Sequence, residues 1–157
     1  MSEKMQVTRR GLFKNAGLAA IAAGFVGAPV GAARADEAKS MESIKKYMGG
    51  DAITDSPAVK IDAPIIAENG AVVPIKVEVD HPMEAGNYIE SIGVFVDNNP
   101  TPFAGKYVLS PANGKAYVSA RLKIGKTSNV RAIARTNSGK LIGAVKEVKV
   151  TIGGCGG

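Results

Sequence analysis

The chain has 157 residues, 45% hydrophobic and 22% charged, with a formal net charge of +6, one histidine, one cysteine and no tryptophan. A single histidine cannot build a histidine-ligated metal site, and it limits any histidine-dependent catalytic set to that one residue. Without tryptophan or a second cysteine, the Cys…Trp…Cys core of antibody domains is excluded.

Most of the net positive charge lies at the start. Thr8-Arg9-Arg10-Gly11-Leu12-Phe13-Lys14 is a basic segment with an adjacent arginine pair. A glycine- and alanine-rich apolar stretch follows from Ala16 to about Ala33, and Ala33-Arg34-Ala35 is a small-x-small site before Asp36. That order predicts a cleaved export signal over residues 1–35, and Arg9 with Arg10 resembles a twin-arginine leader. The glycines in the apolar run and the cleavage-like site argue against a membrane anchor. Processing after Ala35 leaves 122 residues with 15 basic and 13 acidic side chains, a net charge of +2. No basic run survives in that part, so a nucleic-acid partner is not expected. Its length suits one domain with a core, residues 36–152, delivered to the bacterial periplasm.

From Asp36 to Met48 the apolar residues Met41, Ile44 and Met48 recur at helical spacing, and Gly49-Gly50 ends the run. Short β-like segments follow. Val59-Lys60-Ile61 is the first. Val73, Ile75, Val77 and Val79 alternate with Lys76 and Glu78. Ile92, Val94 and Val96 alternate up to Asp97-Asn98-Asn99-Pro100, and Phe103 to Leu109 is a further candidate. Val118, Ala120, Leu122 and Ile124 alternate with Arg121 and Lys123. Val130 to Arg135 leads into the turn Asn137-Ser138-Gly139, and Leu141 to Ile152 is the last strand. About seven strands with regular turns and one leading helix predict an all-β, antiparallel, immunoglobulin-like sandwich. With few aromatic residues, its core is expected to be Val, Ile, Leu and Ala.

Inside this body the chemical signals are weak. His81-Pro82-Met83 reads as a turn, with Asp80 and Glu84 solvated beside it. Ala67-Glu68-Asn69-Gly70-Ala71 reads as a tight turn before Val73-Pro74, with Asn-Gly supplying positive φ. Arg121, Arg131 and Arg135 fall in strands, with two readings: a face for a partner or an anionic substrate, or, as is commoner, a wet strand face, since one face of an antiparallel sheet is usually solvated.

The strong signal is the tail Gly153-Gly154-Cys155-Gly156-Gly157, which holds the only cysteine. Fully extended, five residues span roughly 17 Å. Glycine has no Cβ, so the thiol is expected on a thin flexible arm, 153–157, that fits a narrow pocket in another protein. A solvated thiol stands near its ordinary pKa of about 8.5, and nothing in the tail activates it. An unpaired exported cysteine is either reactive or intermolecular. The expected role is therefore covalent attachment of a small group to Cys155, with activation supplied by a partner, and no intrinsic metal or cofactor.

The glycine-flanked terminal cysteine, the twin-arginine leader, and Ala67-Glu68-Asn69-Gly70 followed by Val73-Pro74 together resemble the SoxY family of sulfur carriers. The resemblance spans the whole mature part. It implies a non-catalytic carrier of thiosulfate-derived sulfur on Cys155. It further implies a SoxZ-like subunit, a SoxXA-like c-type cytochrome that couples thiosulfate to the cysteine, and a SoxB-like dimanganese hydrolase that releases sulfate. In some organisms a sulfur dehydrogenase acts afterwards. Two other readings stay open: an exported sandwich that dimerises through Cys155, and a Gly-Gly carrier modified on its terminal carboxylate.

Overall fold

In a computed structural model the described residues are 30–152, with side chains from 36 to 151. Helix α1 is Val30–Met48. It starts six residues before the expected position, because Ala32, Ala33, Ala35 and Ala38 are strong helix formers. Lys45 and Lys46 stand in its last turn, where cations oppose the negative end of the helix dipole. Gly49, at φ 80°, closes it with its N–H on the Lys45 carbonyl at 3.1 Å.

Among the described residues nine strands follow: β1 Ile53–Asp55, β2 Val59–Asp62, β3 Ile66–Asn69, β4 Val73–Val79, β5 Ile89–Val96, β6 Phe103–Val108, β7 Ala116–Leu122, β8 Ser128–Thr136 and β9 Leu141–Ile152. The large sheet has the order β1-β9-β8-β5-β6, with β3 also on β9; the small sheet is β2-β4-β7. The two form a β-sandwich. Two strands exceed the expected seven. β1 and β3 both pair with β9 in parallel, so the sandwich is not wholly antiparallel. The segment read as a polar turn at Ala67-Glu68-Asn69 is strand β3. Gly70 does not need positive φ; the turn is set instead by the Asn69 side chain, whose Oδ1 accepts the Ala71 N–H at 2.8 Å. Gly139 does take positive φ, at 87°, in the β8–β9 hairpin.

The main core lies between the sheets. Val73, Ile75, Val77 and Val79 from β4 meet Ile92, Val94 and Val96 from β5, and Val130, Ala132 and Ala134 from β8. It is aliphatic, as composition suggests. A second core lies on the other face of the large sheet, beneath α1. There Ile44 and Met48 pack on Phe95, Ile133 and Leu141, with Met41, Tyr47 and Phe103 at the margin. Tyr47 stacks on Phe103 with ring centroids 3.7 Å apart. Two glycines make room for this layer. A Cβ on Gly93 would stand 2.6 Å from Met48 Sδ, and one on Gly143 would stand 2.7 Å from Ile133 Cδ1.

Candidate functional site

The end of β9 is where the expected arm begins. Val148 is fully buried and Val150 packs half-buried against the core, so the strand is held by its own side chains. The backbone is held from both sides. Successive N–H groups in a strand point to opposite edges. Lys149 N–H donates to the Ile65 carbonyl at 2.9 Å, beside β3, and Val150 N–H donates to Thr127 Oγ1 at 3.0 Å, on the β8 side. Ala67 and Asn69 pair with Val150 and Ile152. Thr151 Oγ1 adds a hydrogen bond to the Glu68 carbonyl at 3.3 Å. Cys155, with Gly153, Gly154, Gly156 and Gly157, lies outside the described residues, as do Arg9 and Arg10.

Three loops gather at the same end of the sandwich. The β3–β4 turn accepts the Ile124 N–H on the Gly70 carbonyl at 2.7 Å. The β5–β6 loop is tied to the β7–β8 loop by asparagine side chains. Asn98 Nδ2 donates to the Thr127 carbonyl at 2.6 Å, Asn99 Nδ2 to the Lys123 carbonyl at 2.8 Å, and Gly125 N–H to Asn99 Oδ1 at 3.0 Å. Between the β5–β6 and β7–β8 loops and Asp36 and Lys39 of α1 is a cavity of ≈ 700 Å³. From the sequence, Asn98 and Asn99 read only as strand-ending residues. Side chains that join loops about 25–30 positions apart leave no local signal.

Two of the three arginines read as a wet strand face are engaged structurally. Arg131 is 14% exposed, and its partner Asp97 is 6% exposed. Arg131 Nε and Nη2 donate to the Asp97 carboxylate at 2.8 and 2.9 Å, and Nη2 also reaches Glu37 of α1 at 3.1 Å. Hydrogen bonding to Asp97, ahead of the opposing effect of burial, raises the Arg131 pKa and keeps it charged. Arg135 Nη1 donates to the Met48 carbonyl at 3.0 Å, and its Nε stands 3.3 Å from Glu90. Lys106 Nζ caps the neighbouring Tyr47 carbonyl at 3.1 Å. These side chains satisfy the carbonyls that a helix leaves open at its C-terminus. The expectation failed because α1 covers the face that strand alternation alone assigns to water. Arg121 is exposed, as expected.

His81 donates from Nδ1 to the Pro82 carbonyl of its own turn at 2.8 Å, and Asp80 and Glu84 are exposed beside it. Among the described residues no three His, Cys, Asp or Glu side chains converge to hold a metal. No described helix is long and apolar enough to cross a membrane.

A sandwich of this topology, with its last strand pinned at one end, has known relatives. The family model described as "Sulfur oxidation protein SoxY" matches residues 44–155. The structure is similar to that of the sulfur carrier protein SoxY from Chlorobium limicola f thiosulfatophilum. That match has 36% identity and a TM-score of 0.63, and covers 74% of this chain and 99% of the other. A superoxide reductase (neelaredoxin) from Ignicoccus hospitalis is similar at 30% identity and a TM-score of 0.52, over 59% of this chain and 80% of the other. No curated protein matches. The class is thus a β-sandwich protein of sulfur oxidation. The chain belongs to the SoxY family.

Proposed function

We propose that this protein is a non-catalytic sulfur carrier that binds thiosulfate-derived intermediates on Cys155 and presents them to other proteins of the sulfur-oxidation system. The observation that carries the reading is the family match, which runs through β9 to residue 155 and so takes in the glycine-flanked cysteine. The pinning of Lys149, Val150 and Thr151 supports it, because a rigid root defines the volume an arm can sweep. Short flexible linkers give effective concentrations on the order of millimolar.

In chemical terms the thiol and thiosulfate lose two electrons to a c-type cytochrome and one proton to water. A Cys155 Sγ–S bond forms, leaving an S-thiosulfonate. Water then cleaves the sulfane–sulfonate S–S bond in a partner hydrolase, releasing sulfate and leaving a persulfide. Residues 1–35 act as a twin-arginine leader to the periplasm, and their removal would shorten α1 to begin at Asp36. A SoxZ-like subunit covers part of the surface. The end beside β9 suits it: Ile65 is 71% exposed, Ile66 57% and Val72 58%. Among the described residues no strand pairs the outer edge of β3, which leaves backbone groups ready for a partner.

The test is the intact mass of the exported protein, co-purified with its small partner subunit, before and after thiosulfate and the cytochrome are supplied. The expected product is a thiosulfonate on Cys155, absent from Cys155→Ser, which should also lose turnover with its fold unchanged. Modification at the terminal carboxylate would replace this reading with the Gly-Gly carrier. A disulfide dimer alone on non-reducing gels would replace it with simple dimerisation. Gly154→Val with Gly156→Val should slow turnover while keeping the thiol, since branched side chains thicken and stiffen the arm.

A further inference from the structure

We propose a buried hydration site between β5 and β8, where one ordered water joins Arg135 Nε to Ser91 Oγ and locks the C-terminal end of α1 onto the large sheet. The site does not depend on the carrier role or on Cys155.

Polar groups in need of a partner mark the place. Among the described residues, three buried side-chain polar atoms have no hydrogen bond: Ser40 Oγ, Ser91 Oγ and Arg135 Nε. Such atoms are rare, because burial strips a polar group of its water and must return a partner. Ser40 lies within α1, where a turn of χ1 brings its hydroxyl to the carbonyl four residues back. The other two belong together. Ser91 and Arg135 are directly opposed in the β5–β8 register, and opposed residues carry Cβ atoms about 4.5–5.5 Å apart. Both point to the face under α1. Ser91 alternates with the inward Ile92, and Arg135 Nη1 donates to the Met48 carbonyl at 3.0 Å.

The surroundings decide what fits. Glu90 Oε2 stands 3.3 Å from Arg135 Nε, but off the line of the N–H bond, so it balances the charge and leaves the hydrogen without an acceptor. A small anion is disfavoured, because Glu90 is negative and the end of α1 presents its carbonyls there. A cation would meet the guanidinium. A neutral water suits all three groups: it accepts from Nε, exchanges a hydrogen bond with Ser91 Oγ, and donates to the Glu90 carboxylate. Three partners is the usual number for a buried water. Ser91 is the smallest side chain in the row Val108, Ser91, Arg135. The chain above the guanidinium is Gly49, where a Cβ would stand 2.7 Å from Arg135 Nη1.

The consequence reaches the helix. Nε and Nη1 belong to one planar, rigid fork. Fixing Nε from below therefore aims Nη1 at the Met48 carbonyl above. Ser91, 1% exposed, is a positioning residue for the end of α1, acting through the water and the arginine.

The test is a high-resolution crystal structure of the protein, grown with bromide as the only halide, together with the variant Ser91→Ala. A water should stand within hydrogen-bond distance of both Arg135 Nε and Ser91 Oγ. In urea, Ser91→Ala should lower the folded-to-unfolded ratio roughly five- to thirtyfold, the size expected when a buried donor loses its partner. The amides of Ile44–Met48 should exchange faster with solvent in that variant, and those of β4 should keep their protection relative to global unfolding. In a cycle with Arg135→Met, Ser91→Ala should cost less than it does alone, since the donor is already gone. A direct hydrogen bond from Arg135 Nε to Ser91 Oγ or to the Glu90 carboxylate, with no water between, would overturn the proposal. A bromide at the position would also overturn it, making this an anion site. Additive losses in the cycle, with unchanged exchange in α1, would overturn the positioning role of Ser91.

Discussion

The two sheets of this sandwich treat their outer faces in opposite ways. On β2-β4-β7 the outer face is charged and wet: Lys60, Asp62, Lys76 and Arg121 are exposed, and Lys76 pairs with Asp62 at 3.3 Å. On β5, β8 and β9 the outer face is roofed by α1 and carries Phe95, Ile133 and Leu141. The same strand alternation therefore means two things. On the small sheet a polar position looks at water. On the large sheet it looks at a helix, and each charge there has to be matched by a particular partner.

The largest expected effect comes from breaking that match. Arg131→Ala leaves Asp97 buried without its cation, and should cost about 3–5 kcal/mol in urea unfolding. Ile44→Ala opens a void beneath the roof where the side chain is fully buried, and should cost roughly 2–5 kcal/mol by the same measurement. Gly93→Ala attacks from the sheet side. Its methyl would meet Met48 Sδ at 2.6 Å and Phe95 Cε2 at 2.9 Å, so about 1–3 kcal/mol should be lost. A double variant with Met48→Ala should recover part of that loss relative to the sum of the singles, because the two sites touch.

The smallest effect belongs to the wet sheet. Lys115 Nζ stands 2.8 Å from Glu78 Oε1. That hydrogen bond lowers the Glu78 pKa and raises that of Lys115. A lowered carboxylate contributes above its unfolded pKa and ceases to as pH falls through its folded one. A raised lysine contributes below its unfolded pKa and ceases to as pH rises through its folded one. Lys115→Ala should therefore cost a little near neutral pH and nothing once the pH has fallen below the lowered pKa of Glu78, as urea midpoints across an acid titration would show. A large or pH-independent loss would mean that this face is less open to water than the contrast between the sheets requires.

Legibility in the sequence follows the same division. β4 was readable at both ends because one of its faces is wet, so Val73, Ile75, Val77 and Val79 stand out against Lys76. β9 was readable for its length and its hairpin. The helix end at Met48 followed from Gly49-Gly50. β1 and β3 were missed, since segments of three and four residues show no period and their pairing with β9 depends on contacts more than 80 residues away. Arg131 and Arg135 were misread because an arginine in a strand looks alike under a helix and under water. Cys155 stands out as a local oddity of composition, one thiol among four glycines, and lies outside the described residues. The lysine-lined cavity was not legible, because its walls come from α1, the β5–β6 loop and the β7–β8 loop, and only the folded chain brings them together.

The parallel pairing of β3 with β9 has a mechanical side. On the proposed carrier reading, a protein that grips the residues after Ile152 pulls on β9 along its own axis. Hydrogen bonds between strands run across that axis, so they resist a pull together rather than parting one after another. Lys149, Val150 and Ile152 lie beyond the last β8 pair, Ser128 with Val148, and it is β3 that shares the load there. The strand is loaded in shear, as a rope spliced along its length. A pull of that kind, which the proposed carrier role requires, is borne without fraying the end of the domain.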